Sequence, residues 1–314
     1  MKKVILAFAA LALSVGMMSA QDLATATSTY NSGAEALALG NKTDALEKFQ
    51  QALSMAAALG EEGADVVTNC KNAIPNVMLS IGKELYNDKN FDAAIEQMNK
   101  AAEVAAEYGV AEVVDEVKEI LPQVMLNRSM DKANAAFKAK DMAGAVAGYK
   151  EVLAADSTNA VAALRLGQLL SGSDIEAAEK YFGIAAANGQ KANADKALGG
   201  AYLKKAAAML KGQKYTDAVK FAVKANEIAK NAQALLVAGQ ASQKLGKNGD
   251  AVKYFEDYLE ASPTAKNANA IAFTVGALYQ QMNNKAKAIE FYQKVVSDPQ
   301  FGGQAKQLID SLKK

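Results

Sequence analysis

One pattern that recurs seven times along the chain constrains its fold more than any other feature. Each copy begins with a polar turn and an alanine, followed four positions later by an aromatic residue, a methionine or, once, an alanine. The seven leading alanines are Ala45, Ala94, Ala145, Ala178, Ala218, Ala251 and Ala288. A further apolar residue stands three positions on, and residues at i, i+4 and i+7 share one helical face. Each copy therefore predicts an amphipathic helix.

A second helix is predicted upstream of each copy. A small residue stands twelve positions before the leading alanine in six copies and eleven before it in the fourth. These small residues are Gly33, Gly82, Ala133, Gly167, Ala206, Gly239 and Gly276. A residue without a large side chain lets another helix approach, and we expect the leading alanine to complete the contact. Each copy thus predicts a hairpin of an upstream A helix and a downstream B helix.

This arrangement resembles the tetratricopeptide repeat family over roughly residues 28–300. The shared features are the small residue in helix A, the alanine and the aromatic residue of helix B, and a proline at the repeat end, seen as Pro263 and Pro299. The large aromatic residue expected early in helix A occurs only as Tyr202. The resemblance implies an all-α superhelix, or solenoid, of about seven hairpins. It also implies that the A helices line a concave surface for a protein or peptide.

The first two intervals between leading alanines, 49 and 51 residues, are longer than the 34-residue period of the family. Both extra segments have helical periodicity, and each contains a proline, Pro75 or Pro122. Either the A helix is lengthened and kinked at the proline, or a separate short helix ends and the proline opens the next one. Because an interior proline costs about 3 kcal/mol, the second arrangement is favoured.

The pattern divides the chain into four segments. Residues 1–20 are predicted to be a cleaved signal peptide, 21–156 repeats with lengthened helical insertions, 157–300 regular repeats, and 301–314 a capping helix with a lysine tail. The final helix is predicted from Ala305, Leu308, Ile309 and Leu312, which fall on one face. Repeat arrays need such a solvating end.

The first twenty residues predict export. Lys2 and Lys3 precede an apolar stretch of about 14 residues, too short to span a bilayer, and the small residue Ala20 precedes Gln21. We expect cleavage between Ala20 and Gln21. With no cysteine nearby, the protein is not expected to be a lipoprotein. The mature chain is expected in the periplasm or outside the cell, with no transmembrane segment.

Composition excludes most catalytic chemistry. The 314 residues include no histidine and one cysteine, so histidine-based catalysis and cysteine-cluster metal sites are excluded. The net charge of +1 and the presence of only two arginines argue against nucleic-acid binding. Glu112, Asp115, Glu116 and Glu119 are interpreted as a solvated helix face. We expect no enzymatic activity and no cofactor.

The single Cys70 has Val66, Val67 and Ile74 at helical spacing and is expected to be buried.

Positions counted from each small A-helix residue predict which side chains face the concave surface. They are rich in amides and lysines and contain no acid. The candidate partner-binding residues are Asn76, Lys83, Tyr86, Asn87, Asn127, Asn134, Phe137, Lys138, Gln240 and Lys244. Amides can pair with the backbone of an extended peptide, and lysines with a carboxylate. We expect Lys83, Asn134 and Lys138 to form the core of a locally basic site.

The predicted function is a non-enzymatic scaffold or adaptor of the cell envelope that docks a protein or peptide, in an envelope complex or alone. The alternative is a periplasmic carrier of a small or polymeric ligand. An ordinary polar helix face accounts for the same residues without any specific groove.

Overall fold

The computed structural model describes residues 20–314, and these residues form fifteen α-helices and no strand. The helices are α1 (Ala20–Ala38), α2 (Lys42–Ala58), α3 (Ala64–Asn87), α4 (Phe91–Tyr108), α5 (Ala111–Lys138), α6 (Met142–Ala155), α7 (Ala160–Leu170), α8 (Ile175–Ala185), α9 (Lys191–Lys211), α10 (Tyr215–Ala229), α11 (Ala232–Lys244), α12 (Asn248–Ala261), α13 (Ala268–Gln281), α14 (Lys285–Gln293) and α15 (Gly302–Lys313). Residues 1–19, which contain nearly all of the predicted signal peptide, lie outside the described residues.

Contacts between successive helices pair α1 with α2, α3 with α4, and so on to α13 with α14. Helix α15 packs on α14, and its buried Ala305 and Ile309 join the core of the last hairpins. The predicted all-α fold of about seven hairpins with a C-terminal capping helix is confirmed.

The chain divides into two compact units. The first ends at Asp131 and contains α1–α4 with most of α5. The second runs from Lys132 to Lys314 and contains the end of α5 and all later helices. The sequence predicts a different boundary, at residue 157, where lengthened repeats give way to regular ones. That boundary stays a prediction.

Six of the seven hairpins share one turn between their two helices. A residue with left-handed φ between 58° and 83° ends the A helix in each; these residues are Gly40, Lys89, Lys140, Gln213, Gly246 and Asn283. The next N–H then bonds a carbonyl five residues back, as Asp141 does to Ala136 at 3.0 Å, which satisfies a free helix-end carbonyl. In α7–α8, the Asp174 N–H instead bonds the Leu170 carbonyl four residues back at 2.8 Å. This is the hairpin whose spacing is one residue shorter.

The small A-helix residues contact large side chains of the B helix. A β-carbon on Gly33 would lie 2.9 Å from the Phe49 ring, and one on Gly82 would lie 2.8 Å from the Met98 side chain. The leading alanine was expected to complete this contact, and in α3–α4 the Ala94 carbonyl oxygen would lie 3.6 Å from the β-carbon on Gly82; the residue four positions later lies nearer. In α5–α6 the sizes are reversed, and Ala133 of the A helix lies against Gly148 of the B helix.

The lengthened A helices are continuous. Pro75 lies inside α3 and Pro122 inside α5, so the favoured interpretation, in which each proline opens a new helix, is wrong. The residues around Pro75 explain why the helix persists. Ile74, Val77 and Met78 are buried in one core with residues of α4. Burial of these side chains outweighs the hydrogen bond that proline cannot make.

Cys70 is fully buried within α3, as expected from its spacing. Burial raises the pKa of its thiol to about 11. The thiol is therefore protonated and packed as a small apolar group at neutral pH.

Within residues 20–314, no helix combines the length and the apolar character needed to span a membrane.

Candidate functional site

The predicted site residues of the first unit are largely occupied by partners within that unit. The Lys83 ammonium forms an ion pair with Glu116, and Lys42 pairs with Glu84 at 2.6 Å. The Asn127 amide donates a hydrogen bond to the Tyr86 hydroxyl at 2.6 Å. The expected local excess of positive charge is therefore not present around Lys83, because an acid of α5 neutralises it.

Two more predicted residues of this unit face solvent. Asn76 is exposed, and its amide donates to the Asn72 carbonyl one turn earlier at 2.8 Å. Asn87 is exposed at the end of α3. The joint site of Lys83, Asn134 and Lys138 stays a prediction.

In the second unit, the end of α5 brings predicted residues together with an arginine. The Tyr149 hydroxyl donates to the Asn134 side-chain carbonyl at 2.7 Å, and the Arg165 guanidinium lies 5.5 Å from the centre of the Phe137 ring. Burial raises the pKa of the Tyr149 phenol, partly offset by the positive charge of Arg165. Lys138 is exposed beside them.

Sequence reasoning missed Arg165 because it used the presence of only two arginines solely as evidence against nucleic-acid binding. The available signal was spacing. Arg165 stands two residues before Gly167, the small residue of the next A helix, so it falls on α7, the A helix that follows the end of α5 where Phe137 lies.

The remaining predicted residues, Gln240 and Lys244, lie four positions apart on α11 and are exposed. This spacing places them on the same helical face. The face therefore carries an amide and an ammonium group that are open to solvent.

A groove of about 470 Å³ opens along the exposed face of α9. Its residues include Ala197, Gly200, Lys204 and Ala207 of α9, Ser171 from the end of α7, and Gln233 from the start of α11. Helices α7 and α9 are in contact, as are α9 and α11. Since these three are A helices, the groove belongs to the A-helix face that the resemblance predicts to bind a partner.

Charge is segregated between the two sets of helices in the second unit. The A helices here are the last seven residues of α5 together with α7, α9, α11 and α13. They carry nine basic residues and one acid, Asp195, which pairs with Lys191 at 2.7 Å. The B helices α6, α8, α10, α12 and α14 carry seven basic and ten acidic residues. The near-neutral composition of the whole chain conceals this difference.

A second groove, of about 510 Å³, lies among α12, α13 and α14. Most of its charges are paired: Lys287 bonds Glu290 at 2.9 Å, and the Tyr279 hydroxyl donates to Glu256 at 2.7 Å. Burial and the Glu256 carboxylate raise the pKa of Tyr279 to about 12, and the hydrogen bond from Lys287 lowers the pKa of Glu290. These groups form a local network of opposite charges.

The described residues provide few groups for chemistry. Among residues 20–314, no cluster of three or more histidine, cysteine, aspartate and glutamate side chains is arranged to hold a metal ion. In the α9 groove, the hydroxyl of Ser171 donates to the Gln168 carbonyl at 2.8 Å. The groove is therefore suited to non-covalent contact through its ammonium, amide and small apolar groups.

The fold and this face define a repeat protein built from stacked helix hairpins. Residues 232–264 and 271–297 match the family described as tetratricopeptide repeat, and these ranges cover α11–α12 and α13–α14. These two hairpins match tetratricopeptide repeats, and the same contact between a small A-helix residue and a large B-helix side chain recurs in earlier hairpins.

Solved structures with similar folds share little sequence with the chain. The crystal structure of MamA protein has 19% identity and a TM-score of 0.35, covering 55% of this chain and 90% of that one. YrrB, titled a TPR protein with an unusual peptide-binding site, has 20% identity and a TM-score of 0.32, covering 57% and 90%. The P58(IPK) TPR domain has 14% identity and a TM-score of 0.28, covering 92% and 97%. No curated protein matches the sequence.

Proposed function

We propose that the chain is a non-enzymatic scaffold that docks an extended segment of a partner protein on the A-helix face of its second unit. The observation that carries this proposal is the groove of about 470 Å³ along α9. Its small side chains at Gly200 and Ala207 leave room for a polypeptide backbone. Lys204 and Gln233 supply an ammonium group and an amide to bond it.

We also propose that the protein acts in the cell envelope, after export and removal of residues 1–20. The sequence supports this proposal because Lys2 and Lys3 precede a short apolar stretch, and the small residue Ala20 precedes Gln21. Mature protein isolated from the envelope fraction should begin at Gln21 when its N-terminus is sequenced. Protein that retains Met1 would contradict the proposed cleavage.

A carrier of a small or polymeric ligand is the competing function. Both grooves, of about 510 and 470 Å³, have volumes in the range of small-molecule sites, roughly 300–1,000 Å³. Native mass spectrometry of protein purified from its own cells separates the two functions. A ligand of constant mass bound to most molecules would favour the carrier.

Photo-crosslinking tests the scaffold function at a defined position. Gly200 lies on the exposed face of α9, and an added β-carbon there would meet no atom within 4 Å. Gly183 on α8 is equally unobstructed but lies on a B helix. A photoreactive phenylalanine analogue would be placed at either position in the full-length chain, expressed in its own cells.

We expect a discrete crosslinked protein with the probe at Gly200 and none, or much less, with the probe at Gly183. Equal crosslinking from both positions would show that the A-helix face is not selective. Absence of a crosslinked protein from Gly200 would contradict the proposed function.

A further inference from the structure

We propose that the segment docked along α9 is an acidic stretch of polypeptide in an extended conformation. This inference rests on the proposed function and adds the chemistry of the partner. It follows from three features of the second unit: the segregation of charge, the unpaired lysines of α9, and the spacing of those lysines.

The first feature is the sign of the charge on the face. Among the described A helices of this unit, α7, α11 and α13 contain no acidic residue, and the one acid of α9, Asp195, is paired with Lys191. A partner carboxylate that reaches this face therefore meets cations and amides without a nearby competing acid. Such complementarity gives specificity and speeds encounter.

The second feature is the state of two lysines of α9: Lys204 lines the groove, and Lys211 lies two turns further along the same helical face. Lys204 and Lys211 are exposed, and within residues 20–314 neither forms an ion pair with a carboxylate. They lie on the same face of α9 as Gly200 and Ala207, at the spacing i, i+4, i+7 and i+11. Two unpaired ammonium groups thus stand beside a strip where a backbone can approach the helix.

The third feature is a match of lengths. Lys204 and Lys211 are seven residues apart, which is about 10 Å along an α-helix. An extended chain in the polyproline II conformation advances about 3.1 Å per residue with three residues per turn, so acidic residues three positions apart lie on one side and are about 9 Å apart. A segment with an acid at every third position, running along α9, therefore presents one carboxylate to each lysine.

Other anions fit this face less well. The residues lining the groove include no aromatic side chain on which a nucleic-acid base could stack. An extended polypeptide can lie along α9 and contact the small residues Gly200 and Ala207 as well as Lys204.

Fluorescence anisotropy with a defined peptide tests this inference. The probe is a short fluorescein-labelled peptide with glutamate at every third position and alanine or serine between. A matched peptide carries glutamine in place of each glutamate. The full-length mature protein, residues 21–314, is compared with a Lys204→Glu/Lys211→Glu variant and with a Lys180→Glu/Lys253→Glu variant.

The second variant is a matched control because Lys180 and Lys253 are exposed residues on the B helices α8 and α12. Both variants change the net charge by the same amount. We expect the α9 variant to weaken binding of the acidic peptide roughly tenfold or more and the control variant to change it less than about twofold. Binding should weaken as salt concentration rises. Circular dichroism establishes that each variant is folded.

Several results would overturn the inference. They are equal binding of the glutamine peptide, equal loss in both variants, and no binding of the acidic peptide at millimolar concentration. Tighter binding of a single-stranded oligonucleotide or of phosphatidylserine vesicles through the same two lysines would assign the groove to a different occupant. If crosslinking from Gly200 captures a protein while the acidic peptide fails to bind, the scaffold function stands and only the acidic character of its partner is wrong.

Discussion

The ring of Phe255 occupies the space where a side chain of Gly239 would lie. A β-carbon on Gly239 would approach the ring to 2.6 Å, closer than carbon atoms pack in proteins. The same relation holds between Gly276 and Tyr292, at 2.8 Å. One missing methyl group thus sets how closely the two helices of a hairpin approach, and the large B-helix side chain fills the gap.

Replacing Gly239 by alanine should destabilise the protein. The added methyl must displace the Phe255 ring or separate α11 from α12, and overpacking of this kind costs about 1–3 kcal/mol. We expect a lower midpoint of urea unfolding, followed by circular dichroism.

Gly200→Ala is the matched control, because this helical glycine has open space around it. Alanine there should raise stability by about 0.5–1 kcal/mol, since glycine is the poorer helix former. A fall in stability for both variants would show that the contact with Phe255 is not the cause.

Lys140→Gly should stabilise the turn between α5 and α6. Lys140 has a φ of 62°, a conformation that costs a residue with a β-carbon roughly 1–2 kcal/mol and costs glycine little. We expect a gain of up to about 1 kcal/mol, because glycine also gains freedom in the unfolded chain. Lys150→Gly, inside α6, should instead lower the thermal midpoint. No difference between the two variants would contradict the role of the left-handed turn.

Pro122→Ala should raise stability more than Pro75→Ala. Both prolines lie inside helices, where alanine restores a backbone donor and is favoured by up to about 3 kcal/mol. Pro122 is exposed, whereas Pro75 is buried and its ring contributes packing that alanine cannot replace. Urea unfolding of the two variants measures the difference. A larger gain from Pro75→Ala would mean that the buried ring contributes little.

Cys70 should react slowly with a thiol reagent in the folded protein. Burial raises its pKa from 9.0 to about 11, so the thiolate fraction near pH 8 is about a hundredfold smaller than that of an ordinary cysteine. We expect rapid labelling only after unfolding in urea, with Cys70→Ala as the unreactive control. Rapid labelling of native protein would contradict burial.

The same shift makes stability depend on alkaline pH. Between pH 9 and pH 11 the unfolded chain releases the thiol proton while the folded chain retains it, so stability should fall as pH rises. In Cys70→Ala this part of the pH dependence should disappear. An unchanged profile would assign the alkaline loss of stability to other groups.

Much of the fold could be predicted because each hairpin repeats a local pattern. The seven leading alanines and the small residues upstream locate both helices of each hairpin. The one-residue shift in the fourth copy anticipates a different turn. The continuity of α3 through Pro75 could not be predicted from local preference, because it depends on packing against α4.

The candidate site was less predictable, since it depends on contacts between residues distant in sequence. Lys83 was expected to be a free cation, yet its partner Glu116 is 33 residues away on another helix. The sequence of α9 is basic, but the net charge of the whole chain, +1, does not reveal it. Counting it helix by helix, once the repeats are assigned, would have found it.

The segregation of charge also means that an external electric field orients the second unit. With an excess of cations on the A helices and of acids on the B helices, this unit is an electric dipole whose positive side is the groove. An anionic partner attracts that side and repels the other, so the molecule rotates before contact whenever the separation is within about one Debye length. A protein whose net charge is close to zero can therefore still be attracted and oriented by an anionic partner, through the separation of its charges.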